Sequence, residues 1–251
     1  MGFFDNFKWE SQARKGYTLH VQGNRLYDQN KPREAHEKHE AAMKAYEQAM
    51  AGGCNKVQYM MAYGVLLLRF GRFQEAKDLF LRCEKTAGIT KQEKQQLRVN
   101  FAIAQWKLGE LDSAIQQLKY ALQDAKKGST MGSLGYVLIE KARQTGDFDE
   151  AVAFNTEALD YDDEDPVLLD NMGQLYYAMG DKEKALGYFK KAHEFKPKQV
   201  DTLYYLAKIA WEDGDGKTAL SYLDSALDGN YSALCTTTRK MAEDLKAQIK
   251  P

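Results

Sequence analysis

Apolar and small residues return along this chain with two nested periods. In the segment 166–199, Leu169, Met172, Gly173 and Tyr176 fall on one helical stripe, and Ala185, Phe189 and Ala192 fall on another. Steps of three and four place side chains on one side of an α-helix. A polar break around Gly180 separates the stripes, so the segment reads as helix, turn, helix. The longer period is carried by a Gly-x-x-x-x-Ala signature: Gly71 to Ala76, Gly109 to Ala114, Gly146 to Ala151, Gly180 to Ala185 and Gly214 to Ala219. Successive glycines stand 38, 37, 34 and 34 residues apart. One helical pair cannot bury its own apolar side. A period near 34 residues therefore predicts stacked repeats, an all-α fold of the α–α superhelix (solenoid) type.

Each signature glycine is placed in a turn between two helices of about 12–15 residues, where it ends the first in the left-handed conformation. An acidic residue after the glycine suits the start of the second helix by capping or by the helix dipole. The signature Ala is small because two helices cross there. A second small residue follows two turns later on the same side: Cys83, Ala121, Ala158, Ala192 and Ala226. With large, small and aromatic residues at these spacings, the segment from Pro166 to Gln199 resembles the tetratricopeptide repeat family, whose unit is a helix–turn–helix.

Counting from the glycines gives repeats at about 57–94, 95–131, 132–165, 166–199 and 200–233. A weaker first unit covers 16–56, with Gly23 in the small position, Asn30 replacing the turn glycine and His39 where a large apolar residue is expected. Six units thus span 16–233. Arg98 and Gly135 stand where a bulky apolar residue is wanted, and Asn155 replaces the second-helix aromatic. The repeats at 57 and 95 are long, which predicts an extra turn or a longer loop around Gly88–Gln92 and Lys126–Ser133. Residues 234–251 read as a C-terminal capping helix, with Met241, Leu245 and Ile249 as its apolar stripe. Residues 1–15 are either a loose segment or pack Phe3, Phe4, Phe7 and Trp9 on the first unit.

With 35 Lys+Arg against 36 Asp+Glu, charge gives no global pull toward nucleic acid or an anionic membrane. The basic pairs Lys126-Lys127 and Lys190-Lys191 are scattered, and no aromatic platform accompanies them. Cys54, Cys83 and Cys235 are far apart and form no Cys-x-x-Cys pair, so neither a disulfide framework nor a zinc site is expected. His36-Glu-Lys-His39 is one residue short of a zincin helix motif. The acidic run Asp160–Asp165 lacks calcium-loop spacing and reads as a solvated connector. The N-terminus has no apolar stretch of the roughly 20 residues that span a bilayer, so the chain is read as cytoplasmic and membrane docking is not expected. No catalytic constellation, cofactor loop or metal set is present in the sequence. The expectation is a protein without enzymatic activity, metal or cofactor.

In the resembled family the first helices line a groove that binds an extended peptide or a partner helix. Carried over by repeat offset, that implication selects Asn24, then Met61, Val65 and Arg69, then Asn100, Ile103 and Trp106. It continues with Tyr136 and Glu140, with Asp170, Asn171, Gln174 and Tyr177, and with Tyr204, Tyr205, Lys208 and Trp211. Aromatic anchors beside adaptable amides suit a peptide site, though any one aromatic can equally be core between repeats. Family members that clamp a chaperone's C-terminal carboxylate use Lys and Asn, then Asn, then Lys and Arg. Here His20 and Asn24 are followed by Ala62, Gln96 and Asn100, so that clamp is not expected. The resulting expectation is a scaffold or adaptor for a protein or peptide, not for nucleic acid. The alternative is a structural, self-assembling homo-oligomer.

Overall fold

The computed structural model of the chain describes residues 3–29 and 31–249, with side chains from Phe7 onward. Every regular element in that range is an α-helix: α1 (Phe3–Asp28), α2 (Pro32–Ala51), α3 (Val57–Arg69), α4 (Phe73–Glu84), α5 (Lys91–Lys107), α6 (Leu111–Asp124), α7 (Gly128–Thr145), α8 (Asp149–Tyr161), α9 (Pro166–Ala178), α10 (Lys182–Phe195), α11 (Val200–Glu212), α12 (Gly216–Leu227) and α13 (Arg239–Ile249). The chain divides into two compact units, Met1–Gln117 and Leu118–Pro251. Unit 1 holds the hairpins α1–α2 and α3–α4, then α5 and the start of α6. Unit 2 holds the end of α6, the hairpins α7–α8, α9–α10 and α11–α12, and α13 against α12.

The five signature glycines all adopt the left-handed region, with φ between +72° and +88°. A side chain is strained there, which is why glycine stands at these five turns. Acidic caps start several helices. Asp181 accepts from the Lys184 amide at 3.1 Å, and Asp215 accepts from the Thr218 amide at 3.0 Å. Asp165 accepts from the amides of Val167 and Leu168 ahead of Pro166, and Thr90 with Glu93 forms a complete capping box on α5. Asn30, expected to form the first turn, lies outside the described residues.

Four hairpins close by setting a glycine of the first helix against a larger side chain of the second. A Cβ on Gly64 would come within 2.2 Å of the Phe80 ring, and one on Gly173 within 2.6 Å of the Phe189 ring. The departures from the repeat pattern are matched in the same way. Gly135 makes room for Asn155, which is buried and donates from Nδ2 to the carbonyls of Ala151 at 2.8 Å and Gly135 at 3.2 Å. His39 is fully buried against Gly23, where an added Cβ would meet its ring at 2.3 Å.

The two long repeats take an added turn of helix. α5 and α7 have 17 and 18 residues, against 13 in α3, α9 and α11, and both start four residues ahead of the positions expected at 95 and 132. The two chain ends depart further from expectation. Residues 3–15 are the first half of α1 and no loose segment. Ala13 is buried, Trp9 lies where a Cβ on Gly52 would be, and Gln12 donates to Gln48 at 2.6 Å. Phe7 is 74% exposed, so it does not pack on the hairpin, and the side chains of Phe3 and Phe4 lie outside the described set. The last helix begins at Arg239 instead of Leu234, because Thr236 and Thr237 turn aside to bond to α11. Its apolar stripe buries Ala242 and Leu245 and leaves Met241 38% exposed.

Candidate functional site

In unit 1, α1, α3 and α5 carry the residues selected by repeat offset. Asn24 is exposed, Val65 is 38% exposed, and Met61, Arg69 and Trp106 are half-buried; Asn100 and Ile103 are buried. Arg69 lies over the Tyr27 ring at 4.9 Å, and Lys107 over the Trp106 ring at 3.8 Å. Asn24 is not a free amide, since its Oδ1 is 3.0 Å from His39 Nε2. His20 and His39 meet edge to face at 5.4 Å. Burial first, and the Arg69 charge second, hold both imidazoles down at about 4, against 6.5 ordinarily.

That depression has a signed consequence. An unfolded chain takes up these two protons below about pH 6.5, whereas the folded unit resists them until about pH 4. The stability they contribute is present above pH 6.5 and is lost as pH falls toward 4. Hydrogen-exchange protection in α1–α3 is expected to drop by about one to two decades between pH 7 and pH 5, and less in a His39→Phe variant. Protection that does not change with pH would contradict this assignment.

In unit 2 the selected residues join three first helices into one face. Tyr136 Oη donates to Glu140 Oε2 at 3.2 Å, and Arg143 Nη1 donates to the same oxygen at 3.3 Å. Arg143 Nη2 then reaches from α7 past α9 to Tyr205 Oη on α11, also at 3.2 Å. Tyr205 meets Tyr177 edge to face at 5.3 Å and stacks on Phe189 at 5.1 Å. Tyr177 Oη donates to Glu212 Oε1 at 2.5 Å, and Lys182 pairs with the other oxygen at 2.8 Å. Burial first, and then this bond to Glu212, push the Tyr177 phenol well above its ordinary range. Lys208 lies over the Tyr177 ring at 4.9 Å, and Trp211 is 37% exposed.

Deeper on the same face lies a polar network. Asp170 accepts from Thr202 Oγ1 at 2.6 Å and from Gln174 Nε2 at 2.7 Å; Gln199 Nε2 donates to Thr202 Oγ1 at 3.1 Å. Asn171 donates to the Gly132 carbonyl at 2.8 Å, tying α9 to α7. Burial, and then the neighbouring Asp201, push the Asp170 carboxyl up to about 7. Burial raises Asp201 as well, opposed by hydrogen bonds from Thr237 and Thr236. Of the selected residues in unit 2, Tyr136, Asp170, Asn171, Gln174, Tyr204 and Tyr205 are buried; Glu140, Tyr177, Lys208 and Trp211 keep accessible surface. Asp201 was not among those selected, although it shares their face. Its position two residues into the first helix of its repeat was the signal that could have found it.

Tetratricopeptide repeat models match residues 166–199 and residues 20–87. The chain carries tetratricopeptide repeats in these two segments. Photosystem I assembly protein Ycf3 of Acaryochloris marina (strain MBIC 11017) is 35% identical over 104 residues, 41% of this chain and 60% of that protein. The match thus spans less than two thirds of that relative. A thermophilic tetratricopeptide repeat protein of Thermus thermophilus is similar with a TM-score of 0.62 at 20% identity, over 77% of this chain and 97% of the other. The Cut9–Hcn1 hetero-tetramer of the APC/C gives 0.59 at 14% identity, over 97% of this chain and 47% of the other. At these identities the structures show the fold alone, an α–α superhelix, and every regular element among the described residues is helical. No helix among the described residues is long and apolar enough to cross a membrane.

Proposed function

We propose that this chain is a non-enzymatic scaffold that holds a segment of another protein, an extended peptide or a helix, along its first-helix faces. The observation that carries the reading is the meeting of Arg143 and Tyr205. Their helices α7 and α11 belong to hairpins two apart, yet their side chains touch at 3.2 Å across α9. Side chains two repeats apart converge only on the inward-curving side of a stack, which is the shape that receives a ligand. That hollow offers a cation at Lys208 and aromatic surface at Tyr177 and Trp211, and aromatic anchors of that kind dominate binding energy at interfaces. In unit 1, Asn24, Met61, Val65, Arg69 and Trp106 play the same part in this reading. The relative Ycf3 is by name an assembly protein; holding one component while a complex is built is the role the scaffold reading gives this chain.

Self-assembly is the second reading, favoured by Leu234 at 54% and Met241 at 38% exposure near the chain end. Light scattering separates the two: a mass that does not change with concentration disfavours assembly. The scaffold reading is tested by a paired pull-down from lysate of the source cells, wild type against Lys208→Glu with Trp211→Ala. Both residues keep accessible surface, so the variant is expected to fold. A protein retained by wild type should fall at least about tenfold with the variant, the loss expected from about 1.4 kcal/mol of binding energy. Equal retention would move the binding surface away from unit 2's first helices.

A further inference from the structure

The eleven residues between α12 and α13, of which 229–238 form an irregular connector, do not simply link them. Thr236 and Thr237 fold back onto the first-helix face of unit 2, and four donors converge on Asp201 Oδ1. The amide and hydroxyl of Thr236 lie 2.9 and 3.0 Å away, and those of Thr237 lie 2.7 and 2.6 Å away. Gln174 Nε2 on α9 also donates to Thr236 Oγ1, at 3.1 Å. The connector therefore bridges two successive first helices on the side that curves inward, as a bound peptide would. It also accounts for the burial there. Val65, Glu140 and Lys208, each six places before a turn glycine, keep accessible surface, and Ile103 keeps 6%; Gln174, in the same place, has none.

The site has acceptor capacity that the connector leaves unused. Gln174 Oε1 and Gln199 Oε1 are buried without a hydrogen-bond partner. Buried amide oxygens in that state cost free energy and are satisfied by added donors. The connector itself is irregular, and Leu234 within it is 54% exposed. α13 has independent anchors: buried Ala242 and Leu245, an ion pair between Lys246 and Asp224, and a cap in which the Met241 amide donates to Thr238 Oγ1 at 3.2 Å. Ten residues extend to about 33 Å, so the middle of the connector can leave α11 while α13 stays docked.

We propose that the 229–238 connector is a tethered occupant of the first-helix face of unit 2, and that the partner segment which displaces it is extended and rich in Ser and Thr, presenting hydroxyl and main-chain N–H donors to Asp201 and Gln174. The proposal rests on the scaffold reading and adds to it a chemical class of ligand and a built-in competitor. A tether of this length holds its segment at a local concentration on the order of millimolar, so an outside segment must outcompete it.

The probe is a synthetic peptide of residues 230–238 with Cys235→Ser. It is titrated against wild type and against a variant whose residues 232–237 are replaced by glycine and alanine, checked for unchanged helicity. The peptide is expected to bind the variant about tenfold or more tightly than wild type, and Asp201→Ala in the variant background should abolish binding. Equal binding to both proteins, or binding to neither, would overturn the proposal. Should the replacement prevent folding, hydrogen exchange on wild type decides. The Thr236 and Thr237 amides are expected to exchange by local opening, well before the α11 core; exchange only with global unfolding would overturn it. If the peptide binds neither protein while Lys208→Glu with Trp211→Ala still abolishes partner capture, the tethered occupant fails and the scaffold reading stands.

Discussion

Phe189→Ala is expected to destabilise unit 2 by about 3–5 kcal/mol. The ring has no exposed surface, fills the space that Gly173 leaves open, and stacks on Tyr205 at 5.1 Å. Removing it leaves a cavity that glycine cannot fill from the other side. The lost ring also deprives Tyr205 of the surface that orients its hydroxyl toward Arg143, so the inward face should loosen with the core. Hydrogen exchange on α9 through α12 measures the effect directly. A loss below about 1 kcal/mol would mean that the ring is not part of a close-packed core.

Asp201→Ala is expected to cost on the order of 2–4 kcal/mol. The substitution removes one acceptor, yet it orphans two amides and two hydroxyls of Thr236 and Thr237. Relief from burying a carboxylate offsets part of that loss, which keeps the expected figure below the sum of four bonds. The effect should be local: amides of the connector exchange faster, while α7 and α8 keep their protection. Thermal melting together with exchange mapping reads both parts. Unchanged protection at Thr236 and Thr237 would show that Asp201 does not hold the connector.

These two positions mark what the sequence could and could not reveal. Phe189 and Gly173 were legible because a hairpin's own packing imposes the pattern on residues 16 apart in one repeat. The turn glycines were legible for an equally local reason, since each relieves backbone strain at its own residue. The added turns of α5 and α7 showed as lengthened periods, but a period does not tell helix from loop. Tyr177 and Tyr205 both fall at first-helix offsets assigned to the groove and carry the same side chain, yet one keeps accessible surface and the other is core. That difference is set by contacts between repeats, including Phe189 against Tyr205, which no single-repeat pattern contains. The Asp201 network was still less visible. Its partners, Thr236 and Thr237, lie 35 and 36 residues away in an irregular segment where no periodicity applies.

Histidine in place of a large apolar residue at position 39, and asparagine in place of an aromatic at 155, read as departures from the repeat pattern in the sequence. The structure shows each as half of a matched pair, with Gly23 and Gly135 opening the space. Substituting one half alone leaves a void or a clash, because interiors pack to near-crystalline density.

The most direct measurement of the central claim, that the inward first-helix face of unit 2 receives a partner protein, is site-specific photo-crosslinking in the source cells. A photoreactive phenylalanine derivative replaces Trp211 on the proposed face in one variant and the exposed Lys190 on the second helix α10 in another. Crosslinks to a defined protein from position 211, and none to that protein from position 190, are the predicted result. Crosslinks to it from position 190 alone would contradict the account and place the partner on the second helices.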